Sequence, residues 1–92
     1  MSNAPLHLHL VSDSTGETVH QIARACLAQF PEVRATEHVW TLVRSDTHVE
    51  AVINGVDRNP GIMLMSIVNP DLRALIETRC DERHIPHISV LD

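Results

Sequence analysis

Four short apolar runs alternate with three stretches of helical spacing along these 92 residues, and that alternation is the strongest constraint on the fold. The first run, Leu6 to Val11, reads as a strand. A helix is expected from about Glu17 to Phe30, with Val19, Ile22, Ala23, Cys26, Leu27 and Phe30 on one face and Pro31 ending it. A second strand is expected over Thr36 to Val43, rich in β-branched and aromatic types. Ser45 or Asp46 then caps a helix over about Thr47 to Val56, with Val49, Val52, Ile53 and Val56 inward. After the turn at Asn59-Pro60-Gly61, Ile62 to Val68 is an apolar run broken only by Ser66, as suits a strand covered on both faces. Asn69-Pro70-Asp71 combines an N-cap, a proline at the first helical position and a first-turn acid. The helix it opens turns Leu72, Leu75, Ile76 and Cys80 inward, and a last strand covers about His87 to Leu91.

Strands alternating with helices imply an α/β fold with a parallel sheet and helices on both faces. Right-handed crossovers and a doubly wound arrangement give the expected strand order 2-1-3-4, a Rossmann-like or flavodoxin-like half. The whole chain is read as one small domain. The last strand has no covering helix after it, so the pattern reads as interrupted, as in the N-terminal domain of a longer protein.

This order places the segments after the four strands on one edge, where open α/β sheets bind ligands. They are Ser12–Glu17, Arg44–Asp46, Asn69–Asp71 and Asp92. Ser12, Asp13, Ser14, Thr15, Gly16 and Glu17 form a turn crowded with hydroxyls at a helix start. Such a turn can offer free N–H groups and the positive end of the helix dipole to a phosphate or to a partner. The plainer reading weighs equally: Ser14 or Thr15 caps the helix and Gly16 relieves the backbone. Asp13 alone could also suggest a phosphatase nucleophile. That chemistry usually has a second Asp two residues on, and Thr15 stands there. An Asp13–Asp92 pair would be separated by a strand. His7 and His9 share a strand face, a zinc-ligand geometry for which no third ligand has supporting spacing, so partly buried sheet histidines are expected and no metal. His20 and His48 are read as surface residues.

Composition excludes several classes. All seven basic residues are arginine, so no lysine-bearing phosphate loop of the GxxxxGK[ST] type exists in these residues. A net charge of −5 weighs against nucleic acid. No run approaches a membrane span and no leader is read at the N-terminus, which makes the cytoplasm the expected location and a membrane no partner. Cys26 and Cys80 are read as small buried apolar residues with no disulfide.

Val11-Ser12-Asp13-Ser14-Thr15-Gly16-Glu17-Thr18, followed by Ala25-Cys26-Leu27-Ala28-Gln29-Phe30-Pro31, resembles the bacterial pyruvate, phosphate dikinase regulatory proteins and their relatives that regulate phosphoenolpyruvate synthase. Gly61 to Arg73, with Asn69-Pro70-Asp71, and the closing Ser89-Val90-Leu91-Asp92 are similar to the same family. Ser14 is nearer the dikinase regulators, since the synthase regulators tend to carry glycine there. The resemblance implies a bifunctional enzyme. It phosphorylates a threonine of the target with ADP as donor, which inactivates the target while its neighbouring catalytic histidine is phosphorylated. It reverses this by phosphorolysis with inorganic phosphate, releasing pyrophosphate. Family members are roughly three times this length, and their P-loop domain lies in the C-terminal part. No cofactor is therefore expected here, with ADP and phosphate substrates of the longer enzyme. No catalytic residue is carried onto this chain, and alone it is expected to be inactive. Ser12 to Glu17 are the candidate phosphate- or partner-binding residues. The expected partners are the dikinase or the synthase, the C-terminal P-loop domain and a second copy of the chain. The alternative is a stand-alone anion- or phosphate-binding module.

Overall fold

Leu8 and Leu10 alternate along the first strand with His9 and Val11, and all four are buried. A strand buried on both faces belongs inside a sheet. In the computed structural model, which describes residues 5–90, this strand, β1 (Leu6–Ser12), is central. It pairs in parallel with β2 (Ala35–Trp40) on one side and β3 (Gly61–Ser66) on the other. The short strand β4 (His87–Ser89) adds in parallel to β3. The sheet order is β2-β1-β3-β4, as the alternation predicts.

The two sheet faces are covered unequally. Helices α2 (Asp46–Arg58) and α3 (Pro70–Glu82) lie on one face and touch each other. Val49, Val52, Ile53 and Val56 of α2 and Ile76 and Cys80 of α3 pack there on Val11, Met63 and Met65. Trp40 reaches α2 at Gly55, where any β-carbon would collide with the indole ring. Among the described residues the other face carries one helix, α1 (Glu17–Ala28), whose Val19 and Ala23 bury against Leu8 and Leu10.

Capping follows from the local sequence. Ser45 Oγ accepts the His48 amide at 3.1 Å, so Ser45 rather than Asp46 caps α2. Asn69 Oδ1 accepts the amides of Asp71 and Leu72, and Pro70 stands at the first position of α3.

The expectations need correction in several places. Strand β2 stops at Trp40 rather than Val43, because Leu42 adopts a left-handed φ of 56° and turns the chain out. Strand β3 stops at Ser66, and Val68 beyond it is 72% exposed. Helix α1 ends at Ala28, leaving Phe30 54% exposed. Cys26 is exposed too, since a single helix on this face leaves its flank uncovered, whereas Cys80 is buried as expected. His20 and His48 are half-buried rather than fully on the surface. Of the last expected strand, Leu91 lies outside the described residues, as do Asp92 after it and any Asp13–Asp92 pair. Among the described residues no helix is long and apolar enough to cross a membrane.

Candidate functional site at the strand ends

The turn after β1 is held from three directions. Its own start is tightened by Ser12, whose Oγ accepts the Ser14 amide at 3.0 Å. From the β2 side, the Val43 and Leu42 amides donate to the carbonyls of Ser12 and Ser14, each at 3.0 Å. From the β3 side, Asp13 Oδ2 accepts the amides of Val68 at 2.9 Å and Asn69 at 3.2 Å. Arg44 adds a further tie, donating through Nε to the Asp13 carbonyl at 2.9 Å. The turns after the first three strands are thus joined into one edge.

Within that edge the six candidate residues divide. Ser12 and Gly16 are buried and shape the turn, while Asp13 is half-buried and bridges it to the next loop. Ser14, Thr15 and Glu17 are exposed. Gly16, with a φ of 86°, is the N-cap of α1, which has no side-chain cap. The expectation that Ser14 or Thr15 caps this helix is therefore corrected. The turn has reached the helix in a left-handed step that glycine takes without steric cost, past both hydroxyls. Glu17 then sits in the first turn, where its charge complements the dipole.

A crevice of about 460 Å³ opens beside the turn, on the α2–α3 side. Asp13, Arg44, Asp46, Asn69 and Asp71 give it a polar wall, and Leu72 and Leu75 give it an apolar one. Among the described residues, one guanidinium stands there with three carboxylates. A smaller depression runs along Thr15, Gly16, Glu17, His20, Gln21 and Val39. There His20 lies 3.5 Å from Glu37 and accepts from Arg24 at 3.1 Å.

A histidine cluster lies away from this crevice, on the same sheet face as α2. Trp40 can only donate, so His9 Nδ1 accepts from the indole at 3.2 Å and the His9 proton sits on Nε2, facing the Asn59 carbonyl at 2.9 Å. Burial pushes the His9 pKa below its ordinary value, and the nearby His38 and His7 rings add to that against the raising effect of the Asn59 carbonyl. His38 stacks on His9 with ring centroids 4.6 Å apart, and its Nε2 lies 2.9 Å from His7 Nδ1. Among the described residues no three His, Cys, Asp or Glu side chains are grouped to hold a metal ion.

Sequence reasoning found Arg44 and the turn but missed His38 and Trp40. The signal was present: His38 and Trp40 alternate along β2 as His7 and His9 do along β1, and His9 pairs in register with His38.

Comparison with known proteins places these features in a family context. A kinase/pyrophosphorylase family model matches residues 8–92. A Rhodospirillum rubrum protein named as a pyruvate, phosphate dikinase regulatory protein is 47% identical over 92 residues, all of this chain and 34% of that protein. Proteins of the same name from Paramagnetospirillum magneticum and Rhizorhabdus wittichii are 52% and 45% identical, over 94% and 95% of this chain and 28% and 32% of their own lengths. The chain spans about a third of the length of the curated relatives it matches.

Proposed function

The chain belongs to the kinase/pyrophosphorylase family, and from that premise we propose that it is the N-terminal domain of a bifunctional regulator of pyruvate, phosphate dikinase. The regulator inactivates the dikinase by ADP-dependent phosphorylation of a threonine. It restores activity by phosphorolysis with inorganic phosphate, releasing pyrophosphate. The cytoplasm is its setting. The observation that carries this reading is the 47% identity to the Rhodospirillum rubrum protein along the entire chain. Phosphoenolpyruvate synthase is the related target, and Ser14 favours the dikinase.

The division of labour follows from residue chemistry. These residues hold no lysine to lie along a nucleotide's phosphates. The nucleotide and the transfer chemistry belong to a P-loop domain in the remaining two thirds of the protein. The strand-end edge is this domain's contribution. Ser14 and Thr15 stand exposed on a turn that Asp13 fixes from behind, and Arg44 borders the same crevice. That edge faces the P-loop domain or the target threonine's segment.

A free anion in the crevice is the less favoured reading. The Val68 and Asn69 amides, which could hold an anion, are already occupied by the Asp13 carboxylate. Among the described residues the crevice also has three carboxylates against one guanidinium, which suits a protein surface better than free phosphate.

The test compares the full-length protein with the 92-residue chain, each incubated with phosphorylated dikinase and ADP. The full-length protein is expected to inactivate the dikinase and the short chain to leave it active. Inactivation by the short chain would overturn the division of labour, and inertness of the full-length protein would overturn the function.

A further inference from the structure

An α-helix is about 10 Å wide with its side chains, and neighbouring strands are about 4.8 Å apart. A face of four strands therefore needs two helices. The α2–α3 face has two, and among the described residues the opposite face has α1 as its one helix. Register carries an apolar row across that second face, Leu10 beside Leu64 and Leu64 beside Ile88. Leu10 is fully buried beneath α1, but Ile88 at the far end is 56% exposed.

Between α1 and β4 this leaves an apolar groove of about 260 Å³. Leu8, Leu64 and Ile88 form its floor, and Cys26 of α1 and Phe30, just past the end of that helix, form its wall.

We propose that this groove is the seat of an amphipathic helix from the remaining two thirds of the protein, laid alongside α1 to complete the sheet's second face. This rests on the reading above only in taking the chain as part of a longer protein. Two observations select that occupant over a second copy. The relatives are about three times as long as this chain, so a covalently attached segment is at hand at high effective concentration. And among the described residues ten line the groove, against roughly 20–30 a side in a stable protein–protein interface. The site has the width of one helix and falls short of a dimer surface. The occupant presents aliphatic or aromatic side chains at i, i+3 or i+4 and i+7 toward the groove, with a polar outer face.

Cys26 makes the proposal measurable. It is exposed in the groove wall. Cys80 is buried, and desolvation, with the charges of Asp81 and Glu77, pushes its thiol up to about 12, so it stays silent under native conditions. The full-length protein is alkylated with a neutral thiol reagent and the Cys26 peptide is followed by mass spectrometry. Cys26 is expected to react at least about tenfold slower than in the urea-unfolded protein, at every protein concentration. Ile88→Glu should abolish that protection. Val68→Glu, at a still more exposed apolar position away from the groove, should not. Reaction of native Cys26 at the unfolded rate overturns the proposal, and so does protection that disappears on dilution, which would assign the groove to a second copy. Retained protection in Ile88→Glu also overturns it. The dikinase assay reads out separately. Protection without ADP-dependent inactivation sinks the functional reading and leaves the groove's occupant standing, and inactivation with a freely reactive Cys26 does the reverse.

Discussion

Asp13 Oδ2 accepts the backbone amide of Val68 at 2.9 Å, joining two turns that lie 55 residues apart in sequence. The same oxygen takes the Asn69 amide, so one carboxylate holds the start of α3 to the turn before α1. It acts as an internal anion at a place where α/β folds often hold an external one.

Removing that carboxylate should loosen the edge without unfolding the sheet. Asp13→Ala is expected to lower the unfolding free energy by about 1–2 kcal/mol, the range for a charged hydrogen bond with water able to replace it. Asp13→Asn keeps a carbonyl acceptor and should recover much of the loss. Urea denaturation of both variants checks this, and an Asn variant as weak as the Ala variant would show that the charge, and not the acceptor, matters.

His9 makes stability depend on pH. Its folded-state pKa is lowered by burial, so the unfolded chain takes up the proton first as pH falls. Stability is whole above the unfolded value of about 6.5 and is lost progressively below it, down toward the depressed folded value. Nitrogen-15 NMR should find His9 neutral, with its proton on Nε2, at pH 6.5. A His9 ring that is half-protonated at or above that pH would contradict the assignment.

Gly55 leaves room for the Trp40 ring. Gly55→Ala forces the indole away from α2 and should cost about 1–3 kcal/mol, as overpacking does. The usual helix preference for alanine is worth only about 1 kcal/mol in the opposite direction, so the clash wins. Trp40 is the chain's only tryptophan, and its fluorescence should shift with the loss. An unchanged spectrum together with raised stability would show that the ring moves freely.

Leu42 holds a left-handed φ of 56° and is 53% exposed. That conformation costs roughly 1–2 kcal/mol in an ordinary residue, and asparagine tolerates it better. The little burial lost should not outweigh that relief, so Leu42→Asn is expected to raise the unfolding free energy by about 0.5–1 kcal/mol. A thermal midpoint that falls would mean that the half-covered leucine contributes more by packing than its conformation costs.

The strand order was readable because each apolar run has a length and flanking turns that suit one element, and Asn69-Pro70 marks its helix start locally. Strand ends were read too long where the apolar run outlasts the pairing. Val68 and Leu42 are apolar, yet their amides turn to Asp13 and to the Ser14 carbonyl, a choice made by loops remote in sequence. Cys26 and Phe30 fit the inward face of a helix by spacing, and what exposes them is the absence of a neighbour on that face, a property of packing. In the site, the hydroxyl-rich turn was legible. That Asp13 would bridge loops while Gly16 capped the helix was not, because both depend on the φ of one glycine and on where the β3–α3 loop passes.

The most direct measurement is a mass spectrum of the dikinase after incubation with the full-length protein and ADP. The account predicts a new phosphothreonine beside the target's catalytic histidine, formed only while that histidine is phosphorylated, and its removal by inorganic phosphate with release of pyrophosphate. A dikinase that stays unmodified, or a phosphate that is lost by plain hydrolysis without pyrophosphate, would contradict it.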